Sequence, residues 1–223
     1  MLKLILGNKN YSSWSFRPWI GMKVAGIDFE EEVISLDAPE FKQRVGQISG
    51  TGKLPVLIDG DIRIWESLAI LEYVAEKFPD AGLWPRDAAA RAHARTIAAE
   101  MHAGFAALRK HCPMNMWRPA KKMPLPEEVA ADVKRIDGMW TDCLARFGGG
   151  GPFLFGAFTA ADAMYAPVVA RFHTYAIDVG AAARGYMAAM MALPAWAEWV
   201  SAARKEPWVL PHDEPDWPTV LRA

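Results

Sequence analysis

The sequence predicts a chain of two unlike halves, an α/β domain over residues 1–79 and an all-helical domain over residues 87–223. Three observations carry that expectation. In the first half, short apolar runs alternate with helix-periodic stretches in the order β-α-β-α-β-β-α. A segment punctuated by proline and glycine, Pro79-Asp80-Ala81-Gly82-Leu83-Trp84-Pro85, then marks a shift in composition. Beyond it the strand signals vanish, and the chain becomes alanine-rich and helix-periodic over residues 87–108, 127–147 and 160–175.

Taken in order, Leu2 to Leu6 is a short apolar strand and Gly7-Asn8-Lys9-Asn10 a loop of turn residues. A hydroxyl-rich run, Tyr11-Ser12-Ser13-Trp14-Ser15, leads into a helix that ends near Ala25-Gly26. Pro18 is expected in the first turn, which puts the start at about Trp14 or later, with Ser13 or Ser15 as the N-cap. Residues 31–36 make a second strand and residues 39–45 a short helix. Val56-Leu57-Ile58 and the alternating Ile62 and Ile64 flank Asp59-Gly60, a strong hairpin dipeptide. Pro55 opens the first of these strands, and a cis Leu54-Pro55 bond would turn the Leu54 backbone outward. Glu66-Ser67 precedes Leu68, Ala69, Leu71 and Val74 at helical spacing, so the pair stands at a helix start, where free N–H groups favour a carboxylate. This is the thioredoxin-like order.

With 223 residues, 52% of them hydrophobic, the chain can bury a substantial core. A formal charge of -1 gives no overall basic surface for phosphates, which excludes nucleic acid as an expected partner. The two cysteines, Cys112 and Cys143, have no metal-ligand spacing and cannot form a disulfide framework. No metal is expected. No run is long enough to span a bilayer, and the chain opens on a strand-like segment rather than a signal peptide, so the expected location is cytoplasmic. The Gly148–Gly151 run lacks the ending and the preceding strand of a phosphate loop.

The run Lys53-Leu54-Pro55-Val56-Leu57, the hairpin, and Glu66-Ser67-Leu68-Ala69-Ile70 together resemble the glutathione-binding half of the soluble glutathione transferases. That resemblance implies a thioredoxin-like domain followed by an all-α domain, and glutathione as co-substrate. It implies that Lys53, Leu54 and Pro55 lie along the cysteinyl part of the tripeptide. Glu66 and Ser67 would hold its γ-glutamyl end, through the carboxylate, the hydroxyl and the helix N–H groups. Ser12-Ser13-Trp14-Ser15-Phe16-Arg17 is similar to the zeta-class Ser-Ser-Cys-x-x-Arg run, which places the thiolate donor at Ser12 with Ser13 beside it and leaves Tyr11 as the fallback. Trp14 stands where that class carries cysteine, which disfavours mixed-disulfide chemistry and zeta-type isomerisation. The stretch Glu100-Met101-His102-Ala103-Gly104-Phe105 is similar to a beta-class segment, implying that Glu100 reaches a neighbouring subunit's glutathione and that His102 lies near the sulfur. Members of this family are usually homodimers.

Several readings remain more modest. Thr159-Ala160-Ala161-Asp162 has capping-box spacing, and Asp162 is expected to serve stability by about 1 kcal/mol. Met114, Met116 and Trp117 are candidates for an apolar electrophile pocket or for core filler. The proline- and tryptophan-rich tail, from Pro207 to Pro218, is expected to pack on the domain surface rather than over the active-site mouth. The leading expectation is a transferase joining glutathione to a hydrophobic electrophile. The rivals are a glutathione-dependent isomerase, dehalogenase or lyase, and a non-enzymatic binding or regulatory protein on the same fold.

Overall fold

The computed structural model describes residues 1–215. Asp216, Trp217 and Pro218 of the tail lie outside the described residues. Strands β1 (Leu2–Leu6), β2 (Glu30–Val33), β3 (Val56–Asp59) and β4 (Ile62–Trp65) form one sheet in the order β2-β1-β3-β4. β1 runs parallel to β2 and antiparallel to β3, and β3 pairs antiparallel with β4 across the Asp59-Gly60 turn. Helices α1 (Ser13–Val24), α2 (Phe41–Ile48) and α3 (Ser67–Lys77) complete the expected β-α-β-α-β-β-α order. The Leu54-Pro55 bond is cis.

Strand alternation decides which face each residue serves. Leu4, Leu6 and Leu57 join the large core beneath α1 and α3, whereas Ile5 packs with Ile34 and Val45 of α2 on the opposite face. The large core runs without interruption into the second half of the chain, reaching Trp140, Met164 and Trp199. That half contains α4 (Ala88–Ala103), α5 (Ala106–His111), α6 (Glu127–Phe147), α7 (Ala160–Thr174), α8 (Ala181–Met191) and α9 (Pro194–Ala203). Helix α1 is the joint between the halves. Phe16 stacks on Trp199, Trp19 tilts against the same indole, and Gly21 lets α3 and α7 approach closely.

The structure corrects three sequence expectations. Helix α1 begins earlier than Pro18 suggests: Ser12 is its N-cap, its side chain accepting the Ser15 N–H, and Pro18 lies inside the helix. A proline there removes one ladder donor and crowds the Trp14 carbonyl, a cost offset by burying Phe16, Trp19, Ile20 and Met22 completely. The periodic stretch over residues 87–108 is two helices, because Gly104 ends α4 and Phe105 takes a left-handed φ of 58°. The tail also reaches the loop between β1 and α1 through Glu214 instead of merely covering the surface, and Glu206, just before the tail, holds the same loop. The Glu206 carboxylate accepts the Lys9 and Asn10 N–H groups at 2.7 and 3.0 Å, and the Tyr11 hydroxyl donates to Glu214 at 2.6 Å.

The Thr159-Asp162 capping box forms as the spacing predicts. Asp162 is fully buried and accepts from the Thr159 N–H, the Thr159 hydroxyl and the Leu154 N–H. Among the described residues, no helix is long and apolar enough to cross a membrane.

Candidate active site

The loop between β1 and α1 is tied down on every side before it presents its hydroxyls. Asn8 accepts the Leu36 N–H, Asn10 accepts the Trp117 N–H, and Glu206 accepts the Lys9 and Asn10 backbone N–H groups. At its end, the Ser12 hydroxyl donates to Ser15 Oγ across 2.8 Å, and Ser15 Oγ accepts the Gly7 N–H. Ser12 is thereby committed as cap and donor. The neighbouring Ser13 hydroxyl makes no hydrogen bond among the described residues. Both serines, with Tyr11, line a cleft of about 600 Å³ between the two halves, whose walls include Leu54, Met114, Arg109 and Arg171.

A second recess of about 300 Å³ adjoins it, sharing Trp14, Lys53, Leu54 and Arg109 and adding Pro55, Glu66 and His102. Of the residues assigned to the tripeptide from the sequence, Lys53, Leu54, Pro55 and Glu66 line this continuous concavity, whereas Ser67 and Glu100 do not. Glu66 stands at the tip of α3 with a φ of 68°, and no side chain caps the helix there. Its carboxylate is 3.6 Å from His102 Nε2. Burial, then the charge of Arg17, holds the His102 imidazole below its usual pKa despite Glu66. Its Nδ1 is buried without a partner among the described residues.

Ser67 is placed differently from the role its motif implies. Its side chain is fully buried, accepts from Arg17 Nη1 at 3.4 Å and points its hydroxyl at the Met164 sulfur, 3.9 Å away. What α3 offers the recess is its uncapped N-terminal backbone rather than this hydroxyl. Glu100 is held by two 2.8 Å bonds to Arg135 of α6. Trp117 faces another cleft, beside Trp196 and Arg204, and donates its indole N–H to the Ala203 carbonyl. Met116 lines that same cleft.

The largest feature missed in the sequence is cationic. Two guanidiniums lie over the Trp14 ring, Arg17 at 4.2 Å and Arg109 at 4.7 Å, with the His102 ring edge-on at 5.2 Å. Arg171, a buried arginine near the end of the mostly apolar α7, is the available signal. Burial pushes Arg17 down to about 9 and Arg171 to about 10, and repulsion among Arg17, Arg109 and Arg171 adds to it. Neither cysteine belongs to the site. Both are fully buried, and burial pushes their thiols up to about 11 for Cys112 and about 12 for Cys143.

A mixed four-stranded sheet bearing a cis-proline loop and a hydroxyl-bearing helix start, docked on an all-helical half with a cleft at the junction, defines a thioredoxin-like domain joined to an all-α domain. Residues 11–77 match the family model described as glutathione S-transferase, N-terminal domain, and residues 126–202 match glutathione S-transferase, C-terminal domain. The chain belongs to the soluble glutathione S-transferase family. It is 38% identical over 95 residues to a probable maleylacetoacetate isomerase of Caenorhabditis elegans, covering 42% of this chain and 44% of that protein. It is 33% identical over 144 residues to glutathione S-transferase T1 of Arabidopsis thaliana, covering 61% and 57% of the two chains. These matches thus span about half the length of each curated relative. The fold superposes on a Burkholderia glutathione transferase homolog solved with bound glutathione, with a TM-score of 0.71 at 21% identity, covering 92% of this chain and 99% of that one.

Proposed function

We propose that this protein is a glutathione transferase in which the Ser12-Ser13 pair stabilises the glutathione thiolate for attack on an electrophilic carbon. The observation that carries the reading is the uncommitted Ser13 hydroxyl, facing the same cleft as Leu54 and standing at the start of α1. A free thiol has a pKa of about 8.5 and is only a few per cent ionised at neutral pH. A donated hydrogen bond and a helix N-terminus both favour the charged sulfur. Ser12 fixes the helix end while Ser13 supplies the donor, and the thiol proton leaves to water. The sulfur then forms the new bond to carbon as the leaving group departs with its electron pair.

In this reading Glu66 takes the ammonium of the γ-glutamyl end, and the free N–H groups of α3 take its carboxylate. Lys53, Leu54 and Pro55 border the middle of the tripeptide. His102 lies beside Glu66 and orders the recess. The protein acts as a homodimer in the cytoplasm. A reaction other than conjugation, such as isomerisation or dehalogenation, would use the same thiolate. Mixed-disulfide chemistry on the protein's own cysteines has no support, since both thiols are buried.

The test is calorimetric titration with glutathione, followed by conjugation of chlorodinitrobenzene and a pH titration of the bound thiolate by its ultraviolet absorption. Ser13→Ala is expected to raise the bound thiol's pKa by about one unit, equivalent to about 1.4 kcal/mol, with little change in affinity. An unshifted titration in both Ser12→Ala and Ser13→Ala would remove the serine assignment.

A further inference from the structure

Four residues line both the serine cleft and the adjoining recess: Trp14, Lys53, Leu54 and Arg109. A sulfur reaching from the middle of the tripeptide, beside Leu54, to the Ser13 hydroxyl therefore lies at the boundary these four share. Lys53 is exposed, and water and salt screen its charge. Arg109 is half-buried on α5, and among the described residues its guanidinium makes no hydrogen bond or ion pair; its contact is the Trp14 ring, 4.7 Å away. Its charge acts on both sides of the boundary, helping to lower the pKa of His102 in the recess and of Arg171 in the cleft. The nearby carboxylates are engaged elsewhere. Glu66 lies 3.6 Å from His102 and Asp213 3.5 Å from His212, while on α6 Asp132 accepts the Leu108 N–H and Glu128 pairs with His111. The other charged groups around the boundary, Arg17, Lys53, Lys110 and Arg171, are cations. The Trp14 ring is itself held, with Arg17 over it at 4.2 Å and His102 edge-on at 5.2 Å.

The geometry points to Trp14 as a positioning residue: its ring holds the Arg109 guanidinium at the boundary of recess and cleft, where that cation stabilises the glutathione thiolate alongside the Ser13 hydroxyl. The inference rests on the glutathione-transferase reading and deepens it, adding a charge to the hydrogen bond at the sulfur. A cation close to a thiol favours its charged form. A guanidinium suits the task because it keeps its own charge at neutral pH and stacks on an aromatic face. The thiol proton leaves to water, and no side chain of the protein changes protonation in the step.

The experiment is the ultraviolet titration of bound glutathione thiolate in Arg109→Gln, Trp14→Leu, Trp14→Phe and the double variant of Trp14→Leu with Arg109→Gln. Arg109→Gln is expected to raise the bound thiol's pKa by about one unit, the low end for losing a nearby opposite charge. Trp14→Leu, which keeps an apolar side chain but no π face, should raise it by about half a unit. Trp14→Phe keeps a face and should retain most of the parent value. In the double variant the shift should equal that of Arg109→Gln alone, because Trp14 acts through that cation. Melting temperatures check that each variant is folded, and Trp14→Met takes the place of Trp14→Leu if the latter is not. Calorimetric affinities for glutathione and for S-methylglutathione, which cannot form a thiolate, read the same preference without turnover. Above the bound thiol's pKa, Arg109→Gln should shrink the ratio of the two by up to about tenfold, the equivalent of one pKa unit. An unshifted titration in Arg109→Gln overturns the inference, and so do Trp14→Leu and Arg109→Gln shifts that simply add. The serine variants report on the enzyme reading separately: a titration moved by Ser13→Ala but not by Arg109→Gln keeps that reading and removes this one. A parent protein that forms no bound thiolate removes both.

Discussion

Arg17 Nη1 lies 3.4 Å from the Ser67 hydroxyl oxygen, joining the interior of α1 to the first residue of α3. The guanidinium is fully buried, its Nε and Nη2 have no partners among the described residues, and burial followed by the charges of Arg171 and Arg109 pushes its pKa down to about 9. It remains a cation at neutral pH, behind the helix tip where a ligand carboxylate is proposed to sit. Replacing a poorly compensated buried charge with an apolar side chain of similar length removes a desolvation penalty. The replacement also forfeits about 1 kcal/mol of cation–π contact with Trp14. Arg17→Met is therefore expected to keep its stability or gain up to about 2 kcal/mol in urea unfolding, while glutathione affinity falls at least tenfold. Marked destabilisation with unchanged affinity would make Arg17 a purely structural residue.

Asp162 gives a pH dependence of known sign. Burial raises its carboxyl to about 6 despite the hydrogen bonds from Thr159 and the Leu154 backbone. The folded state therefore holds more protons than the unfolded state between about pH 4 and 6, and stability falls as pH rises through that window. The loss is on the order of 2–3 kcal/mol for this group alone. Asparagine cannot titrate, and its NH₂ group opposes one of the N–H donors that the carboxylate satisfies. Asp162→Asn is expected to be less stable than the parent protein at pH 4, by about 1–3 kcal/mol, with the gap narrowing towards pH 7. Parallel denaturation curves at the two pH values would contradict this.

The parts of the fold legible in the sequence are those fixed by near neighbours. Asp59-Gly60 marks its own turn, Pro55 marks a strand opening, and Thr159 and Asp162 cap a helix three residues apart. Ser12 and Ser13 are picked out by the resemblance of their run to the zeta-class segment, while the helix cap falls at Ser12, earlier than Pro18 predicts, because burial of Phe16 and Trp19 outweighs the proline rule. The contacts of Glu206 with Lys9, and of Glu214 with Tyr11, join residues about 200 positions apart and leave no local pattern. The arginine cluster was hidden for the same reason. Arg17, Arg109 and Arg171 come from three helices and meet only when α1, α5 and α7 come together.

Gly21 sets how closely those helices approach. A Cβ built there would lie 2.5 Å from Leu71 Cδ2 and 3.3 Å from the Ala163 Cβ. Leu71 is itself fully buried, so its methyl group has little room to yield. Gly21→Ala gains up to about 1 kcal/mol of helix propensity but incurs an overpacking penalty of about 1–3 kcal/mol. The expected result is net destabilisation of about 1–2 kcal/mol by chemical denaturation. A more stable variant would mean that the junction between the two halves is looser than the packing of α1 on α3 and α7 implies.

Glu206 straps the last described segment of the chain to the active-site loop. Its two carboxylate oxygens accept the Lys9 and Asn10 backbone N–H groups, and Glu214 accepts the Tyr11 hydroxyl one residue further along that loop. Truncation at Glu206 leaves two N–H donors without their anionic acceptor, costing about 1–3 kcal/mol. The cost falls locally, since β1 and α1 are anchored independently in the core. Glu206→Ala is therefore expected to accelerate hydrogen exchange at the Lys9 and Asn10 amides by at least tenfold, with a smaller change at Leu4 and Ile20. Because Ser12 and Ser13 follow this loop directly, the thiolate pKa of bound glutathione should rise in the same variant. Exchange that stays slow at both amides would show that Asn8 and Asn10 hold the loop without the strap.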